Sequence, residues 1–181
     1  MKKYVLFVAL SLGLLFVGST VVNADEVAPL SSVQSVDLNS LSDEAIEHFE
    51  SEGFSENDEY YTETIIQTPP KSNGVQARAV NVITLTAGTK KVDNTTGYTS
   101  YIITATQAPF TKINMKLNVG SVKSFTSNVT PYKGTYGYSG GIYSFYSGKR
   151  GYQGYRLQAQ YTTTWGSGST SCSAGGMTIG K

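Results

Sequence analysis

The residues best suited to chemistry run together in the last third of the chain: Lys149-Arg150-Gly151-Tyr152-Gln153-Gly154-Tyr155-Arg156. Cations at this density can neutralise phosphate-bearing polymers, and tyrosines between them can stack on sugars or bases. Lys149, Arg150, Tyr152 and Arg156 are therefore the candidate binding residues. Tyr155 shares its alternation with Leu157 and is expected to face inward. Gly148, Gly151 and Gly154 allow tight turns, so the run is expected as a hairpin tip projecting from the end of the fold.

Residue types exclude most catalysis. The only histidine is His48, which lies in an acidic stretch well before this run. If that stretch is removed, a Ser-His or Cys-His arrangement has no base. Asp93 is the only Asp or Glu after Arg78, so a paired-carboxylate hydrolase is excluded. Zinc needs Cys/His clusters and calcium several acidic oxygens, and the sequence offers neither. No phosphate-cradling glycine motif opens a helix. The expectation is a protein without enzymatic activity, metal or cofactor. Cys172 is the only cysteine, so no intramolecular disulfide can form; between Ser171 and Ser173 it reads as a small strand residue.

Charge divides the elements that must carry these residues. From Asp25 to Arg78 there are 12 Asp and Glu against 2 Lys and Arg. From Ala79 to Lys181 there are 10 Lys and Arg against 1 Asp or Glu. The formal net charge of +1 hides this opposition. Between the halves, Pro69 to Ala79 reads PPKSNGVQARA, a turn-rich stretch open to proteases, with Arg78 as the expected processing residue. Residues 1–24 look like a signal peptide. Lys2 and Lys3 precede an apolar run, and Val22-Asn23-Ala24 suits cleavage after Ala24. The expected divisions are 1–24 signal peptide, 25–78 acidic pro-region or spacer, partly disordered, and 79–181 basic Gly/Tyr-rich β domain.

In the acidic part, Ser42 predicts a helix cap, Leu41 and Ile46 a hydrophobic staple, and Gly53 the stop. The apolar stripe is thin, so the helix either docks or stays mostly disordered. Tyr60 to Thr68 could form a strand. After Val80 no helical periodicity survives. Thr111 to Val119 alternates Ile113, Met115, Leu117 and Val119 with Lys112, Asn114, Lys116 and Asn118, a half-buried strand with its cations in water. Tyr98 to Gln107 is expected to join it through an Ala108-Pro109-Phe110 hairpin. Val122 to Thr130, Tyr132 to Tyr138, Ile142 to Ser147, Gly154 to Trp165 and Ser169 to Ile179 follow, with Ser139-Gly140-Gly141 read as a turn. This predicts an all-β antiparallel sandwich of about seven to eight strands, preceded by the acidic segment with one short helix.

GYRLQAQY, Gly154 to Tyr161, resembles the penultimate strand of immunoglobulin-like and fibronectin-III-like domains through its Tyr-x-Leu-x-Ala alternation. The export-plus-β pattern, with INMKLNVG from Ile113 to Gly120, is similar to small secreted proteins of Gram-positive bacteria, some of them bacteriocin-associated. The likeness spans roughly the last hundred residues and lends no catalytic residue.

The function expected is that of a secreted preproprotein. Its acidic region shields a cationic β domain until a protease cuts near Arg78. The freed domain binds anionic envelope polymers such as teichoic acids, or lipid headgroups, as a bacteriocin-like effector. The alternatives are a non-toxic binding module for wall polysaccharide or matrix, with the acidic part retained, and a self-assembling surface protein. Specific nucleic-acid recognition is not expected.

Overall fold

The computed structural model describes residues 32–70, 79–120, 123–132, 134–145 and 150–180. In chain order they form β1 (Ser32–Val36), a 3-10 turn (Leu38–Ser40), α1 (Asp43–Ser51), β2 (Tyr60–Gln67), β3 (Asn81–Lys91), β4 (Thr96–Ala105), β5 (Phe110–Val119), β6 (Lys123–Val129), β7 (Gly137–Phe145), β8 (Gly151–Thr163) and β9 (Gly166–Ile179). Every pairing is antiparallel. One sheet has the order β1-β2-β3-β4-β7 and the other β6-β5-β8-β9.

The sheets stack on one core because alternation puts one side chain in two between them. From β5 come Ile113, Met115, Leu117 and Val119, and from β8 Tyr155, Leu157, Ala159 and Tyr161. The five-stranded sheet answers with Ile65, Ile83, Leu85, Tyr101 and Ile103. Cys172 lies in this core with no exposed surface. Burial, then the nearby Glu63 carboxylate, pushes its thiol up to about 12.

A second core lies on the outer face of the five-stranded sheet. Leu38, Ala45, Phe49 and Phe54 close over Tyr60, Tyr98 and Ile102. Ser42 caps α1, its hydroxyl accepting from Ala45 N at 3.4 Å, and Gly53 follows the helix at φ 75°. A nine-residue helix is marginal alone. Packing secures it: Phe49 and Tyr60 are fully buried and meet edge-on at 4.9 Å. Polar pins surround the contact. Tyr98 donates its hydroxyl to Glu52 Oε2 at 2.6 Å, and Lys90 Nζ donates to the Glu52 carbonyl and sits 4.7 Å from the Phe54 ring centroid. The described part of the acidic segment is thus folded into the sandwich. Strand β2 pairs with β3 along its whole length, from Tyr60 opposite Gly88 to Gln67 opposite Asn81.

Three expectations change. Strands β4 and β5 belong to different sheets, so Ala108-Pro109-Phe110 is a crossover and not a hairpin. Ser139-Gly140-Gly141 is no turn: β7 runs straight through it beside β4. The glycines are needed for close approach, since a Cβ at Gly141 would collide with the Tyr98 ring. Strand β8 begins at Gly151, so most of the basic–aromatic run is strand and not a hairpin tip.

Candidate functional site

Arg150 is exposed just before β8, its stem against Gly180. Tyr152 is 68% exposed, and its ring lies across Gly176 and near Tyr61. Arg156 is exposed four positions on, with Nη2 donating to Ser171 Oγ at 2.7 Å. Four residues of strand place Tyr152 and Arg156 about 13 Å apart. Tyr155 faces inward as expected, 3% exposed. Lys149, Ala24 and Arg78 lie outside the described residues.

Register supplies neighbours that chain order hides. The outer face of the four-stranded sheet is a grid of polar side chains. One row reads Asn128, Asn114, Gln160, Ser169 across β6, β5, β8 and β9. The next reads Thr126, Lys116, Gln158, Ser171, and the next Ser124, Asn118, Arg156, Ser173. Lys112, Thr162 and Ser167 extend the grid at the other end. Lys112, Lys116 and Arg156 therefore share one face with an amide or hydroxyl at nearly every other position. None of the four strands contains Asp or Glu. At ordinary strand spacings the face measures about 20 by 14 Å.

Parts of the grid are bonded internally. Asn114 Nδ2 donates to Asn128 Oδ1, and Ser124 Oγ donates to Asn118 Oδ1 at 2.8 Å. Such bonds hold short side chains in register. They leave the face able to donate hydrogen bonds and to present positive charge, which suits a polyanion with polar substituents.

The acidic helix lies elsewhere. It packs on the outer face of the five-stranded sheet, against β4, on the far side of the sandwich from this grid. Its histidine is engaged there, with His48 Nε2 2.9 Å from Ser100 Oγ. Ser100 has no exposed surface, so this serine–histidine contact is closed to a substrate. Among the described residues no three His, Cys, Asp or Glu side chains group together, and no helix is long and apolar enough to cross a membrane.

Sequence reasoning treated Lys112 and Lys116 as a solvated strand face. The signal that joins them to Arg156 is strand order, which brings β8 beside β5. Trp165, the single tryptophan, reads in sequence as the end of a strand; it sits instead in the β8–β9 turn. Comparison with family models, curated proteins and solved structures finds no match.

Proposed function

We propose that the chain is an exported binding module, not an enzyme, and that the outer face of its four-stranded sheet holds anionic polymers of a cell envelope. The observation that carries this reading is the grid itself: Lys112, Lys116 and Arg156 among amides and hydroxyls, on strands without a carboxylate. Such a charge pattern is self-repelling unless an anion shares the surface. The acidic segment is retained in this reading as part of the fold, because Phe49 and Tyr60 are fully buried and Ile65 enters the main core. The immunoglobulin-like kinship belongs to the proposal too. It is supported by two stacked antiparallel sheets with Tyr155, Leu157 and Ala159 of β8 directed between them.

The test is co-sedimentation with immobilised poly(glycerol phosphate) over a salt series. Lys112→Ala, Lys116→Ala and Arg156→Ala together should lower affinity at least about tenfold and flatten its salt dependence. Arg150→Ala with Tyr152→Ala should cost less, since these residues lie at the end of the grid. Wild-type binding by the triple variant would refute the reading.

A further inference from the structure

The β8–β9 hairpin turns through Thr164 and Trp165, between the paired residues Thr163 and Gly166. Half-buried Trp165 lines a groove of about 640 Å³ with Ile65, Ile66, Gln67, Tyr161 and Ser169. Ile66 is 58% exposed at its rim. A second depression of about 440 Å³ adjoins it, lined by Lys112, Asn114, Gln160 and Thr162. The two share Tyr161, Ser167, Gly168 and Ser169, so both border the same stretch of β8 and β9. The first is aromatic and apolar with hydroxyl and amide neighbours. The other carries a cation and two amides.

The aromatic groove is held in shape from beneath. Gln67 Oε1 accepts from Asn81 Nδ2 at 3.0 Å and from Thr163 Oγ1 at 3.0 Å. Gln67 Nε2 donates to the Gly166 carbonyl at 3.2 Å, and Trp165 N donates to Thr163 Oγ1 at 3.1 Å. Asn81 is fully buried and accepts from Gln107 N and Ala108 N at 2.8 and 3.1 Å. This network ties the end of β2 to the hairpin turn. A groove fixed before its ligand arrives loses less entropy on binding.

We infer that these two neighbouring depressions together make a glycan subsite that reads a sugar-substituted polyphosphate. A sugar ring offers an apolar C–H face to Trp165 and hydroxyls to Ser167 and Ser169. The phosphate of the same polymer meets Lys112, Asn114 and Gln160. The inference rests on the binding-module reading above and names its ligand class. A lipid headgroup could supply the same phosphate, but a bilayer presents a broad surface, whereas this site is concave and rimmed by hydroxyls and amides.

Trp165 is the only tryptophan, so its fluorescence reports on this groove alone. The probes are glucosylated poly(glycerol phosphate), the same chain without glucose, and phosphatidylglycerol vesicles. Sedimentation gives affinities, and thermal melts show that variants are folded. Wild-type protein should bind the glucosylated chain about tenfold tighter than the bare chain, the scale of one stacked ring. Only the glucosylated chain should shift Trp165 emission. Folded Trp165→Ala should bind both chains equally, at the weaker level. Equal wild-type affinity for the two chains, or an unchanged preference in Trp165→Ala, overturns the glycan subsite. Loss of binding in the lysine–arginine triple variant would then leave the cationic-face reading standing. A shift with vesicles and none with either polymer replaces the glycan with a membrane surface. Binding to no probe overturns both readings.

Discussion

The two sheets meet their surroundings in opposite ways. The five-stranded sheet has the middle of its outer face covered: α1 and the Phe54 turn bury Tyr60, Tyr98 and Ile102 beneath a second core, while Ile66, Tyr143 and Phe145 towards its edges stay exposed. The four-stranded sheet leaves its outer face open, and there Lys, Arg, Asn, Gln, Ser and Thr fill the positions that would otherwise need a cover. Strand β4 is buried almost throughout, on both faces, whereas β8 alternates buried with exposed or half-buried residues over most of its length. A covered face contributes stability and is closed to partners. An open face contributes little stability and is available for recognition. Mutation and pH should separate these roles.

The largest effect should come from alkali, which attacks both cores. Burial, followed by Asp58 and Glu50, raises Tyr60 from 10.0 to about 12. Burial, followed by Glu63, raises Tyr161 to about 12, and Tyr98 and Tyr101 also move upward through burial. These groups favour the fold while protonated. Their contribution is complete below the ordinary value of 10.0 and is lost as pH rises through the folded value near 12. Far-UV circular dichroism and phenolate absorbance should therefore change together in that window. Complete phenolate titration at 10.0 with the fold intact would contradict the burial of these rings.

Next in size is Phe49→Ala, which strips the centre of the covered face. It should cost about 3–5 kcal/mol in urea unfolding. The lysine–arginine triple variant on the open face should change stability by less than about 0.5 kcal/mol per site. Comparable losses from the two would erase the contrast between the faces. The smallest effect, with the opposite sign, is expected at Thr170. Its hydroxyl is the one buried side-chain N or O atom without a partner among the described residues. Thr170→Val keeps the shape and should leave stability unchanged or raise it by up to about 1 kcal/mol. A loss beyond that would mean the hydroxyl has a partner.

Much of the fold was legible because period-two alternation is local. Ile113, Met115, Leu117 and Val119 declare one face of β5 without help from any other strand, and Ser42 and Gly53 mark the ends of α1. What failed was non-local. Ala108-Pro109-Phe110 reads as a turn, and nothing in three residues says which sheet the chain enters next. Gly140-Gly141 also reads as a turn, because glycine that makes room for Tyr98 looks the same in sequence as glycine that bends the chain. The candidate site was hidden for the same reason. Arg156 and Lys116 are forty residues apart in sequence, and only strand order makes them neighbours on one face. Arg150, Tyr152 and Arg156 were legible by type, and Arg156 also by its place in the Gly154 to Trp165 alternation, but the start of β8 at Gly151, which puts Tyr152 on the strand too, was not.

Strand β2 holds the free edge of β9 with side chains. Glu63 Oε2 accepts from Ser171 N at 2.6 Å across 108 positions of sequence, and Gln67 reaches Thr163 and Gly166 across 96 and 99. An early strand therefore waits for the last one. Contacts at this separation form slowly, because a long loop must close before they are rewarded. A nascent chain cannot complete this sandwich until β9 has been synthesised. Until then the Glu63 carboxylate, β2 and the apolar side of β3 remain in search of partners, and the polypeptide must be kept from pairing with its neighbours while the hundred or so residues between β2 and β9 are made.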